Sequence, residues 1–121
     1  MWVNRSLKKG TRSLFEARSL LKQSAFSWRE NQLFDPEGNL VEFSILVASG
    51  NSQRMQLATI VQDDLKQLGM KVSIVSLEPR AMLDRVANRR DFDAALMALA
   101  SGDADPNAEM NVWITGGSLR L

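Results

Sequence analysis

From Ser13 to Ala100 the apolar positions recur at spacings that switch between helical and strand-like, and each switch falls at a turn or cap residue. Leu14, Ala17, Leu20 and Leu21 fall on one helical face. Ser13 with Glu16 three residues on predicts a capping box at the start of that helix. Asp35-Pro36-Glu37-Gly38-Asn39 reads as a turn, because Pro presets φ and Gly accepts positive φ. Val41, Phe43, Ile45 and Val47 then alternate with Glu42, Ser44 and Leu46, a strand.

Ser49-Gly50-Asn51-Ser52 breaks the strand and supplies helix caps. Leu57, Val61, Leu65 and Leu68, with Ala58 beside them, predict an amphipathic helix that Gly69 ends. A β-branched run from Lys71 to Leu77 predicts a second strand. Glu78-Pro79 opens another helix, with Met82, Leu83, Val86 and Ala87 facing inward. Ala94 to Ala100, after Asp91-Phe92-Asp93, is a continuous apolar run of strand length, buried on both faces. The order β-α-β-α-β argues for a mainly parallel sheet with right-handed crossovers. Ligands approach such sheets at the carboxyl ends of the strands. Those ends are residues 48–52, 77–79 and 101–107.

Composition narrows the chemistry. The 121 residues make one domain's worth of chain and contain no Cys, His or Tyr. Disulfides, Cys/His zinc sites, thiol nucleophiles and Ser-His-Asp triads are therefore excluded. Net charge is +1, so no global field draws the chain to nucleic acid or anionic lipid. Residues 1–30 nevertheless carry a local excess of +5, which reads as a solvated basic face rather than a nucleic-acid site. The longest apolar run is far short of the ~20 residues of a spanning helix, and residues 1–5 lack a signal-peptide layout. Either the protein works in the cytosol or the chain is part of something longer.

Candidate chemistry is sparse. Asp103-Ala104-Asp105-Pro106-Asn107 opens like a calcium loop, but Ala108 and Ile114 stand where the turning Gly and the bidentate Glu belong. No metal is expected. Ser49-Gly50-Asn51-Ser52 could offer helix N–H groups to an anion, although an ordinary cap is the simpler reading. Two S-x-x-K matches, at Ser6 and Ser19, lack every companion motif. Asp63 and Asp64 are adjacent on a helix and cannot act as a pair.

Taken in order, the segments resemble the family 5 extracellular solute-binding proteins of bacterial ABC peptide importers. Residues 13–21 resemble that family's Ala-x-x-Leu-Leu helix, and residues 38–46 its turn and strand. Residues 60–72 resemble its Gln-x-x-Leu-x-x-x-Gly helix-to-strand passage. Phe92-Asp93 with Asp103-Ala104-Asp105-Pro106 resembles its Phe-Asp … Asp-Pro segment, and Asn111-Val112-Trp113 with Gly117-Ser118 a stretch beyond.

The resemblance implies an α/β fold: a three-layer β-α-β-α-β unit with a mainly parallel sheet, part of the second lobe of a class II periplasmic-binding-protein-like fold. Residues 1–40 would be a lead-in, 41–100 the core, and 101–121 a ligand-side loop and unfinished terminal segment. It implies a non-enzymatic, cofactor-free periplasmic receptor that captures a peptide or related small solute. Its partners would be the first lobe of the same protein and the subunits of an ABC permease, with no nucleic acid. Asp103 would pair with the ligand's α-ammonium, with Ser101, Gly102, Leu99 and Asn51 lining the same edge. Leu99 stands where members often carry Trp, and Leu96 where some carry Arg. The competing reading is a small cytosolic α/β enzyme or regulator built on Ser49 to Ser52 and Asp103.

Overall fold

The computed structural model describes residues 6–7 and 10–98. Helix α1 (Leu14–Gln23) starts where Ser13 Oγ accepts the Glu16 N–H at 3.1 Å. Leu14, Ala17 and Leu21 are half-buried, but Leu20, expected on the same face, is exposed. A hairpin that the sequence reading did not anticipate follows, β1 (Ser27–Arg29) against β2 (Gln32–Phe34). Its two turn residues, Glu30 and Asn31, both sit at positive φ (49° and 65°). That backbone matches the right-handed twist of the paired strands.

The main sheet is three parallel strands in the order β4-β3-β5: β3 (Glu42–Ala48), β4 (Lys71–Leu77) and β5 (Ala94–Leu96). Helix α2 (Ser52–Gln67) carries β3 into β4, and α3 (Pro79–Leu83) with a π-helical turn (Asp84–Arg89) carries β4 into β5. Two separate cores show that these crossovers lie on opposite faces. On one face Ile45 and Val47 pack with Ala58 of α2; on the other Leu46 packs with Met82 and Val86. The expected three-layer βαβαβ arrangement is present.

Several expectations are corrected. Leu46, placed on the polar side of β3 by alternation, is fully buried, because a strand covered by helices on both faces has no polar side. The stripe expected for α2 holds in part: Ala58 and the following Leu68 are buried and Leu65 is half-buried, but Leu57 and Val61 are exposed and Met55 packs inward instead. Phe43, Val72 and Ile74 already crowd that sheet face, and the small Ala58 is what lets the helix backbone approach. Leu83 and Ala87, expected to face inward, are exposed, while Met82 and, in the π-helical turn, Val86 are buried. Strand β5 is three residues long rather than seven, with Met97 and Ala98 outside it. Residues 99–100 of the expected strand lie outside the described residues.

The hairpin is fastened to the α2–β4 turn. Leu33 N–H donates to Gly69 O at 2.8 Å, and the Trp28 indole N–H donates to Leu68 O at 2.7 Å. Arg18 stacks over the Trp28 ring, 5.0 Å from its centroid. Arg12, part of the basic lead-in, forms a two-point contact with Asp64, joining the start of α1 to α2.

At the start of β5, Asp93 Oδ2 accepts the Ser44 N–H at 2.9 Å and the Ser44 hydroxyl at 3.0 Å. The Ser44 backbone N–H, then its hydroxyl, hold the Asp93 carboxyl below its ordinary value of 3.8. A carboxyl whose folded pKa is lowered stabilises the fold fully above the unfolded value and loses that contribution as pH falls through the folded one. Asp93→Asn is therefore expected to lower the urea midpoint at pH 7, with the gap to the parent chain narrowing below about pH 4. A gap unchanged between pH 7 and pH 3 would mean that the Asp93 charge does not hold this corner.

Candidate functional site

Parallel pairing brings the carboxyl ends of all three strands to one edge. With the strand order β4-β3-β5, the chain runs from β3 outward to β4 and then returns to the far side of β3, so the order reverses between β3 and β5. In open α/β sheets, ligands bind outside the strand ends at such a reversal.

Each loop at this edge is built from its caps. After Ala48 the chain turns through Ser49 and Gly50 (φ 84°) to Asn51, whose Oδ1 accepts the Arg54 N–H at 2.9 Å. Asn51 is thus the N-cap of α2, as the sequence led one to expect, and its side-chain oxygen is engaged there. After Leu77, the Glu78 carboxylate accepts the N–H groups of Arg80 (3.1 Å) and Ala81 (3.3 Å), with Pro79 in the first turn of α3. A bond from Ser49 N–H to Leu77 O, 2.7 Å, ties the two loops together. Ser49, Gly50, Asn51 and Ser52 are all exposed.

The third loop leaves β5 after Leu96 toward the same edge. Its expected ligand residues Leu99, Ser101, Gly102 and Asp103 lie outside the described residues, so of the predicted set only Asn51 is placed.

The perturbed carboxyls lie elsewhere. Asp93 is at the amino end of β5; Asp35 is held low by the Asn39 backbone N–H and then its side chain; Asp64 is held low by the hydrogen bond from Arg12. Each has a structural partner, which is the pattern of caps rather than of acid–base catalysts. A groove of about 520 Å³ does exist, but it lies at the opposite edge, between the hairpin turn and the start of β4, among Glu30, Gln62, Asp63, Lys66 and Lys71. Its lining mixes both charge signs and has one large apolar side chain, Met70, with Val72 beside it. Ligand pockets are predominantly apolar with few polar groups, so this groove is a poor match, and the strand ends are the better candidate on topology. Among the described residues no cluster of acidic, His or Cys side chains could hold a metal, and no helix is long and apolar enough to cross a membrane.

The hairpin was the part of this neighbourhood that sequence reasoning missed. The available signal was Trp28 and Leu33 flanking Glu30-Asn31, a two-residue loop whose Asn tolerates positive φ.

Comparison with known proteins matches this geometry. The sequence profile described as bacterial extracellular solute-binding proteins, family 5 Middle, matches residues 2–119. A Deinococcus radiodurans protein named "Probable ABC transporter-binding protein" is 28% identical over 108 residues, covering 84% of this chain and 18% of that protein. The structure of the oligopeptide-binding protein AppA from Bacillus subtilis, in complex with a nonapeptide, is 25% identical with a TM-score of 0.68, over 76% of this chain and 19% of AppA. A nickel ABC transporter structure from Bacillus halodurans superposes with a TM-score of 0.77 at 24% identity, over 95% of this chain and 24% of that one. That likeness speaks to fold alone. The chain thus spans about a fifth of the length of these relatives.

Proposed function

The chain belongs to the bacterial extracellular solute-binding proteins, family 5, and on that premise we propose that it forms part of the second lobe of an ABC-importer receptor for peptides. The observation that carries this reading is the carboxyl edge of the sheet. Three parallel strands end together, the strand order reverses between β3 and β5, and the Asp103 loop follows the third strand. In the full receptor a first lobe would close over that edge, and the loaded receptor would deliver its cargo to permease subunits at the membrane. The working compartment would be the periplasm. The lead-in of residues 1–40, the core of 41–100 and the ligand-side segment of 101–121 would divide the work.

Binding, not turnover, is the chemistry this edge suits. Every peptide carries an α-ammonium, and Asp103 would pair with it, with Ser101, Gly102 and Leu99 shaping the turn around it. Asn51, committed to capping α2, would hold the neighbouring wall. A carboxylate that is buried by lobe closure binds an ammonium far better than one in water. No cofactor or metal enters the reading.

The test is isothermal titration of the full receptor that contains this segment with di- to pentapeptides, beside the 121-residue chain alone. The receptor is expected to release heat and the chain alone very little, since the facing wall is missing. Equal heat from both would overturn the two-lobe account. Asp103→Ala in the receptor is expected to weaken binding by about 1.5–3 kcal/mol, the worth of a hydrogen bond to a charged group. Unchanged affinity would remove Asp103 from the site.

A further inference from the structure

The end of α1 folds back along its own side and leaves two cations without a counter-charge. Ser24 N–H donates to Leu20 O at 3.0 Å, Ala25 N–H to Lys22 O at 3.2 Å, and Phe26 N–H to Leu21 O at 3.0 Å. The last carbonyls of the helix are thus satisfied by backbone, and its basic side chains are not needed there. The reversal holds Ala25 at φ 64°, a left-handed position that glycine usually fills at a helix end. It brings Phe26, Ser27 and Trp28 back beside Arg18 and Lys22.

These five residues line a groove of about 440 Å³. Arg18 and Lys22 are four apart and share one face of α1. The Arg18 guanidinium lies over the Trp28 ring, which its own bond to Leu68 O holds in place. Stacking uses the face of the guanidinium and orients it, while the N–H donors in its plane stay available. Among the described residues neither cation has an ion-pair partner, and no acidic side chain lines the groove. The larger groove beside β4 carries both charge signs; this one carries only positive charge. It adjoins Leu68, where α2 ends, whereas the strand-end edge lies where α2 begins.

We propose that this groove is a second ligand site, which binds a phosphate ester through Arg18 and Lys22. A phosphate monoester carries about two negative charges near neutral pH and several acceptor oxygens, so it takes donors from both cations at once. A single carboxylate would leave one cation uncompensated. The Phe26 and Trp28 rings offer an apolar wall to the carbon part of the ester. A soluble phosphate ester and a lipid headgroup present the same group to this groove. The site is independent of peptide capture at the strand ends.

The test is titration of the isotope-labelled 121-residue chain with phenyl phosphate, followed at the Trp28 indole N–H and the Arg18 Nε–H resonances. Both are expected to shift saturably with phenyl phosphate and far less with benzoate at equal ionic strength. Lys22→Gln, at an exposed position outside the Trp28 contact, is expected to weaken binding about fivefold, the upper range for an exposed charge pair. Arg89→Gln removes the same charge from an exposed position beyond α3 and is expected to leave binding unchanged. Cosedimentation with vesicles of equal parts phosphatidylcholine and phosphatidic acid separates the two sources. Retention that Lys22→Gln abolishes assigns the phosphate to a lipid, and saturable phenyl phosphate binding without retention assigns it to a soluble ester. A response that never saturates, equal affinity for benzoate, or equal weakening by Arg89→Gln would overturn the proposal.

Discussion

Leu46→Ala is expected to lower the unfolding free energy by about 2–5 kcal/mol, the range for a fully buried leucine whose neighbours cannot close the gap. Leu46 has no exposed surface and stands at the centre of the core formed with Met82 and Val86. Ala48, Val75, Leu77, Phe92 and Ala95 pack around that core from three strands and the loop before β5. Strand backbone fixes their spacing, so collapse into the cavity is limited. Urea denaturation followed by circular dichroism measures the effect. A loss below about 1 kcal/mol would show that this face is loosely covered and that the second crossover contributes little.

Gly69→Ala is expected to cost about 2–5 kcal/mol through a different route. Gly69 sits at φ 89°, where a side chain adds roughly 1–2 kcal/mol of backbone strain. An added Cβ would also lie 2.8 Å from Asn31 O and 3.0 Å from Leu33 N. Both are backbone atoms of the hairpin, so the hairpin must move, adding about 1–3 kcal/mol. Much of the damage should be local. Trypsin cleavage after Arg29 is expected to accelerate more than global unfolding does. Wild-type stability with unchanged proteolysis would mean that the hairpin does not rest on this turn.

The alternation of elements was legible because each boundary carries its own chemistry. Ser13, Asn51 and Glu78 cap the helices they were read as starting, and Gly69 closes α2. What the sequence hid is the orientation of helices whose two faces are both partly apolar. Periodicity puts Leu57 and Val61 with Ala58, Leu65 and the following Leu68, and does not show that the first two turn outward while Met55 turns in. The sheet chooses, through the size of what it already holds. The π-helical turn was hidden for a related reason, since Met82 and Val86 keep a four-residue spacing that an α-helix satisfies equally well. At the candidate site the strand ends and Asn51 were legible, whereas Asp103 and its neighbours rest on the family resemblance.

Strand β3 has one more consequence. Its apolar residues occupy both faces, Ile45 and Val47 on one and Leu46 on the other. Sliding the strand by a single position would swap one greasy set for another, and burial alone would scarcely object. Polar contacts near its beginning have to act as bookmarks. Asp93 grips Ser44, and Glu42 pairs with Lys71 at 3.0 Å. Alignment of the sheet is thus written at the end remote from the proposed cargo, leaving the residues beside that cargo free to vary without misthreading the fold.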